Sequence, residues 1–169
     1  MSLFDKDPGV NNSFPTNESG EFDSAKYLTD LATEIAGLPK PLIDQVSSVL
    51  AGAINNGKQV FFCGNGGSFA IAEHMVCDYA KGMKRFYSNG VLAINIGSNH
   101  PLNSALTNDF GHENAYMAEL QMYSREGDVL VAISSSGNSQ NILNCINYAK
   151  EHNIFSVGLS GFGGGSLAD

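Results

Sequence analysis

Residues 126–143 read EGDVLVAISSSGNSQNIL, and this stretch decides the fold. Its run from Val129 to Ile133 is continuously apolar, which is typical of a parallel strand that is covered on both faces. A hydroxyl-rich loop follows, and an amphipathic helix begins directly after it. The apolar side of that helix consists of Ile142, Leu143, Ile146 and Ala149. A buried strand, a polar loop and a helix in this order predict one unit of an open α/β sheet.

The same alternation continues on both sides of this stretch. Three more short apolar runs predict strands: Val60 to Cys63, Val91 to Ile96 and Phe155 to Leu159. Helical patterns separate them, including one with Phe69, Ala72, Val76, Tyr79 and Met83 on one side. The prediction is an α/β fold with a doubly wound parallel sheet in three layers, flavodoxin-like, with right-handed crossovers. Two further amphipathic helices precede it between Glu21 and Gly57, divided at Pro39 and Pro41.

Length and composition restrict the classes of function. The chain of 169 residues is 43% hydrophobic and carries a formal charge of -8, which disfavours binding to nucleic acid or to an anionic membrane. No apolar run is long enough to span a bilayer. Cys63, Cys77 and Cys145 form no Cys-x-x-Cys pair and indicate reduced thiols in the cytoplasm. Residues 1–20 are polar and predict a flexible tail, whereas residues 21–169 predict a single domain.

Two loops stand where chemistry is expected, at the carboxyl ends of predicted strands. The glycine loop (residues 64–68, GNGGS) lets a ligand approach the backbone and offers amide donors to an anion; the alternative is a plain tight turn with a serine N-cap. The serine loop (residues 134–139, SSSGNS) carries four hydroxyls beside a helix start; the alternative is a serine-rich linker. Neither loop matches an ATP or dinucleotide motif, so no nucleotide cofactor is predicted.

Four segments together resemble the phosphoheptose isomerase branch of the SIS (sugar isomerase) domain family. They are GNGGS at 64–68, TNDFG at 107–111, EGDVLVAISSSGNSQNIL at 126–143 and LSGFGGGSLAD at 159–169. The resemblance implies a cytoplasmic enzyme that isomerises sedoheptulose 7-phosphate between aldose and ketose forms through an enediolate. It also implies a homotetramer with active sites between subunits.

The resemblance assigns roles to individual residues. It makes the phosphate-binding set Ser134, Ser135, Ser136 and Ser139, with further substrate contacts from Asn65, Gly66, Gly67, Ser68 and Asp109. The alternative for Asp109 is a turn-former or helix cap. Asp78 takes the position of the catalytic base, and His74 with Asp78 takes the position of zinc ligands.

Two departures from the family pattern keep a second function open. The family has Glu where this chain has Asp78, and the alternative for His74 and Asp78 is an exposed helix pair without catalytic duty. The family also continues through another strand and a helix that supplies a second catalytic His, and residues 21–169 are expected to lack that part. His100, His112 and His152 match no motif and are expected at the surface. The second function is a non-catalytic SIS protein that binds a phosphosugar or a protein partner, as the replication-initiator-associated relative does.

Overall fold

The computed structural model of the protein describes residues 15–87 and 90–169. The chain divides into two compact units, Met1–Gln45 and Val46–Asp169. The predicted tail at residues 1–20 lies mostly outside the described residues. Its last part forms a turn in which Thr16 pairs with Phe22 across an isolated antiparallel bridge.

The two predicted N-terminal helices are present. They are α1 (Ser24–Gly37) and α2 (Lys40–Asn55), and the second helix runs across the division between the units. Asp23 caps α1 by accepting a hydrogen bond from the Lys26 amide at 2.9 Å. The break between the helices falls at Leu38 and Pro39, because a residue before proline is disfavoured in helical conformation.

The second unit contains the sheet, which has four parallel strands in the order β2-β1-β3-β4. The strands are β1 (Val60–Gly64), β2 (Ala93–Asn95), β3 (Val129–Ser134) and β4 (Phe155–Ser160). The remaining helices are α3 (Gly67–Cys77), α4 (His100–Phe110), α5 (His112–Tyr123) and α6 (Gln140–Glu151). The prediction of a doubly wound parallel α/β sheet is confirmed.

Alternate residues of the strands feed two separate cores, as the two-residue period of a strand requires. Phe61 and Leu130 pack on one face with α5 and α6. Phe62 and Val131 pack on the other face with α3 and with residues 46–54 of α2. The sheet is therefore the middle of three layers, and its two central strands are buried along their whole length.

The prediction that every strand is covered on both faces is wrong for β4. Phe155 and Leu159 are 44% and 43% exposed, and only Val157 of this strand is buried. The reason is position: β4 is an edge strand, and within residues 15–87 and 90–169 it has little cover beyond α6 and a short turn at Gly165–Leu167.

The helix that follows the glycine loop is shorter than the sequence pattern predicts. α3 ends at Cys77, and the chain continues as a π-helical turn, Asp78–Gly82, and a 3₁₀ turn, Met83–Arg85. Tyr79 packs edge-on against Phe62 with ring centroids 5.3 Å apart, so the widened turn keeps an aromatic side chain on the sheet.

None of the helices within residues 15–87 and 90–169 has the length and apolar character that a membrane crossing requires.

Candidate functional site

The glycine loop and the serine loop lie side by side. β1 and β3 are neighbouring parallel strands, and Gly64 pairs in register with Ile133. Both loops therefore leave the sheet at the carboxyl ends of these two central strands. A reciprocal pair of hydrogen bonds joins the two junctions. The Asn65 amide nitrogen donates to Asn141 at 2.9 Å, and the Asn141 amide nitrogen donates back at 2.8 Å. The two predicted binding loops therefore form one continuous surface.

The glycine loop begins α3 without a side-chain cap. Gly66 is the N-cap residue, with φ +52°, and Gly67 and Ser68 already belong to the helix. The Ser68 amide donates to the Asn65 carbonyl at 2.9 Å. The alternative of a serine N-cap is thus wrong. Gly64 is required sterically, because a Cβ there would lie 2.6 Å from the Ser68 carbonyl carbon.

The serine loop is a tight turn that leads directly into α6, so the alternative of a serine-rich linker is wrong. Ser134 is buried, and its hydroxyl donates to the Ser139 hydroxyl at 3.2 Å. The Gly137 amide donates to the Ser134 carbonyl at 3.0 Å, which closes the turn. Ser135 and Ser136 are exposed on it.

The start of α6 has the chemistry of an anion site. Ser139 is its N-cap residue, but its side chain makes no capping hydrogen bond. The amides of Ile142 and Leu143 donate to the Ser139 carbonyl, which leaves the amides before them at the open end of the helix. Unpaired amides and the positive end of the helix dipole both favour a negative ligand beside the serine hydroxyls.

Asp109 is not brought to these loops by any hydrogen bond among the described residues. It is exposed in the last turn of α4, where its carboxylate accepts a hydrogen bond from the Asn108 side chain at 3.0 Å. Gly111 ends that helix with φ +80°. Its predicted place in the substrate pocket remains a prediction.

His74 and Asp78 form an exposed pair at the end of α3. His74 Nε2 and Asp78 Oδ2 are 3.5 Å apart, and the two side chains are 78% and 68% exposed. Both can reach one cation, but a catalytic zinc site has three protein ligands. Within residues 15–87 and 90–169 no group of three or more His, Cys, Asp or Glu side chains converges. The pair by itself does not fit a zinc site, and His100, His112 and His152 are exposed elsewhere, as predicted.

Sequence reasoning missed several side chains that hold the two loops and their flanking elements in place through hydrogen bonds. Asn141 is only 2% exposed. It lies one helical turn before the buried Cys145 and therefore on the buried side of α6. An asparagine on the buried side of a helix requires a polar partner, and this spacing was the available signal.

Helix α5 supplies two further supports, at the ends of β1 and β2. The Tyr116 hydroxyl donates to the Gly64 carbonyl at 3.2 Å, and Glu119 accepts the Gly97 amide at 2.9 Å. Burial raises the pKa of Tyr116 to about 12. Burial also raises the pKa of Glu119, partly offset by its hydrogen bond from Gly97. Both side chains are therefore structural parts of the junction rather than solvated groups.

Glu73 links α3 to the loop after β2. Its carboxylate accepts hydrogen bonds from the Asn95 side chain at 2.8 Å and from the Ser98 hydroxyl. This contact ties α3, which carries His74, to the end of β2.

Comparisons with known proteins agree with this architecture. The family model described as SIS domain matches residues 25–161. Phosphoheptose isomerase 2 of Campylobacter jejuni is 37% identical over 128 residues, which cover 75% of this chain and 62% of that protein. A phosphoheptose isomerase of Methylibium petroleiphilum is 37% identical over 146 residues, which cover 86% of this chain and 70% of that protein.

A solved structure shows the same fold. The phosphoheptose isomerase of Neisseria gonorrhoeae superposes with a TM-score of 0.75 at 28% identity, covering 85% of this chain and 74% of that one. The chain thus spans less than two thirds of the Campylobacter relative, at 62%, and about three quarters of the Neisseria structure, at 74%.

Proposed function

This chain belongs to the SIS domain family, and from that premise we propose that its glycine and serine loops bind a phosphorylated sugar. The reaction we propose is the aldose–ketose isomerisation of sedoheptulose 7-phosphate, the reaction of the phosphoheptose isomerases that it resembles. The observation that carries the proposal is the pairing of Asn65 with Asn141, which joins two uncapped helix starts into one surface.

Phosphate binding follows from the donors at this surface. The hydroxyls of Ser134, Ser135, Ser136 and Ser139 surround the start of α6, and a dianionic phosphate gains hydrogen bonds from them and from the first helix amides. No lysine or arginine is needed for this, because hydroxyls and helix amides supply the donors. Asn65, Gly66, Gly67 and Ser68 lie beside the serine loop and contact the sugar portion, and Asp109 is retained as a proposed pocket residue.

Asp78 is the proposed catalytic base. Its carboxylate removes the proton from the carbon next to the carbonyl, and the protonated carboxyl returns it to the neighbouring carbon of the enediolate. A proton also passes from the hydroxyl oxygen to the former carbonyl oxygen, so the isomerisation is balanced. The phosphate anchor holds the open-chain sugar in place, so binding energy from the phosphate is converted into orientation at the reacting carbons. Because His74 and Asp78 alone do not complete a zinc site, no step is assigned to a metal.

We also propose a homotetramer in the cytoplasm with sites between subunits. Support for the assembly comes from α1, on which Leu28 and Ile35 are 63% and 59% exposed, a costly arrangement for large apolar side chains in water. Support for the location comes from the three cysteines, all of which are free thiols.

The test is turnover of sedoheptulose 7-phosphate by the full chain and by two variants. Asp78→Asn is expected to lower kcat by about a hundredfold or more, because general base catalysis contributes about 10²- to 10⁴-fold. Asp78→Glu restores the side-chain length of the family and should keep or raise the rate. Glu151→Gln, at an exposed carboxylate that ends α6, is the control.

Binding is measured in parallel by calorimetry. Unchanged affinity of Asp78→Asn for sedoheptulose 7-phosphate would separate catalysis from binding. Binding by the parent chain without any isomerisation would instead favour the non-catalytic reading, and absence of binding would refute the proposal.

A further inference from the structure

We infer that Asn138 is a positioning residue that ties the serine loop to the closing segment (residues 161–167), so that this segment holds the loop in its anion-binding shape. The consequence for ligand affinity rests on the proposed function. The effect of Asn138 on the order of the serine loop is independent of the proposed function.

Asn138 connects the two segments through both ends of its side-chain amide. Its nitrogen donates to the Ser136 carbonyl at 3.0 Å, within the serine loop. Its oxygen accepts the Ser166 amide at 2.9 Å, from the closing segment. One side chain thus fixes the turn internally and attaches it to a segment 28 residues away in the chain.

Two backbone hydrogen bonds run beside this bridge. The Gly161 amide donates to the Ser135 carbonyl at 3.0 Å, and the Leu167 amide donates to the Gly137 carbonyl at 2.9 Å. The two backbones are in direct contact, because a Cβ on Gly137 would lie 1.7 Å from the Gly164 carbonyl oxygen. Only glycine fits at this crossing.

The direction of these three hydrogen bonds matters for function. In each of them the closing segment is the donor, and an oxygen of the serine loop is the acceptor. Three oxygens of the serine loop that would repel a phosphate are therefore already hydrogen-bonded to the closing segment. The serine hydroxyls and the first amides of α6 stay available to the anion.

The composition of the closing segment agrees with this role. Phe162, Gly163, Gly164 and Gly165 all have positive φ, between +51° and +106°. Glycine adopts such angles without strain, whereas Phe162 adopts them at a cost. The three consecutive glycines therefore let the chain take this path largely without strain.

The test has a ligand-free part and a ligand-bound part. Hydrogen–deuterium exchange of the full chain without ligand compares the parent with Asn138→Ala and Asn138→Asp. Asn138→Ala loses both hydrogen bonds, so amides in residues 134–139 and 161–169 should exchange faster while β1 is unchanged. Asn138→Asp keeps the oxygen that accepts the Ser166 amide, so it should restore protection in the closing segment. Asn147→Ala, at an exposed asparagine of α6, is the control.

The affinity for sedoheptulose 7-phosphate is then measured for the parent, for Asn138→Ala and for the control. Asn138→Ala should bind about five- to tenfold more weakly, the effect expected for one net hydrogen bond. Asn138→Asp is compared with it only in the exchange experiment, because its negative charge beside the serine loop repels the phosphate. Gly164→Ala disturbs the closing segment without altering the loop, since its Cβ would lie 2.5 Å from that of Ala168, and it should also weaken binding.

Unchanged exchange of residues 134–139 in Asn138→Ala would overturn the inference. Faster exchange with unchanged affinity would overturn the link to binding. If the parent chain does not bind the sugar phosphate at all, the proposed function fails, while the exchange data still decide whether Asn138 orders the loop.

Discussion

The glycine loop and the serine loop occupy equivalent places in the fold, but they are held in different ways. The glycine loop is supported by side chains: Tyr116 and Asn141 reach it from α5 and α6. The serine loop is supported mainly by backbone, because the closing segment donates amides to its carbonyls. A side-chain hydrogen bond can be removed by a single substitution. The backbone hydrogen bonds are lost only when the serine loop and the closing segment are forced apart.

The largest effect is expected where backbone meets backbone. Gly137→Ala should destabilise the protein by about 2–5 kcal/mol, from the positive φ of +66° and from overlap with the Gly164 carbonyl. Gly64→Ala overlaps only with Ser68 in its own loop, and its φ is not positive, so about 1–3 kcal/mol is expected.

Urea unfolding of both variants measures this difference. Gly52→Ala in α2 is the control, because nothing lies within 4 Å of its Cβ and alanine is the better helix former, so a gain of about 0.5–1 kcal/mol is expected. Equal losses for Gly137→Ala and Gly64→Ala would contradict the contrast between the loops.

The next largest effect concerns the asparagine pair that joins the loops. Asn141→Ala should cost about 1–3 kcal/mol, because a buried hydrogen-bonded amide is lost and its partner Asn65 is left unpaired. Asn65→Ala and the double variant complete a mutant cycle measured by urea unfolding. The double variant should cost less than the sum of the single ones, and strict additivity would mean that the pair does not couple the loops.

The strands and both loops could be predicted from sequence because their signals are local. The apolar run from Val129 to Ile133 predicts a buried strand, and the hydroxyls of the serine loop follow it directly. The supports could not be predicted in this way. Asn65 and Asn141 are 76 residues apart, and the sequence around either residue does not indicate that the other is its partner. The contact between Gly164 and Gly137 is likewise tertiary. The local sequence around Gly164 predicts only a glycine-rich turn.

Burial on β4 shows a second limit of the sequence. Its apolar run resembles that of β3, yet most of its residues are exposed because it lies at the edge of the sheet. Composition indicates that a segment is a strand, but the order of strands decides how deeply it is buried.

The loop after β2 has a titratable support in Glu119, which accepts the Gly97 amide, whereas the serine loop is tied by amide donors that do not titrate. The raised pKa means that the folded state binds a proton more tightly than the unfolded state. Stability from this group is present below the ordinary glutamate pKa of about 4.3 and is lost as pH rises through the raised value. Glu119→Gln stays neutral and still accepts the Gly97 amide.

The stability of Glu119→Gln relative to the parent should therefore rise with pH across this window and level off above it. Urea unfolding from pH 4 to pH 8 measures the difference. Glu119→Leu, which leaves the Gly97 amide without its acceptor, should instead lose about 1–3 kcal/mol. A flat difference for Glu119→Gln would show that the pKa of Glu119 is the same in the folded and the unfolded protein.

The smallest effect on stability is expected at the pair for which the largest effect on turnover is proposed. His74 and Asp78 are exposed and 3.5 Å apart, and exposed pairs at this helical spacing contribute only about 0.3–0.5 kcal/mol. His74→Ala and Asp78→Asn should thus unfold within about 0.5 kcal/mol of the parent. A larger loss would mean that the pair supports the π-helical turn at Asp78–Gly82, and a drop in turnover could then be a folding effect. Unchanged stability with lost turnover would instead assign Asp78 to the chemistry, because the free energy of folding does not depend on it.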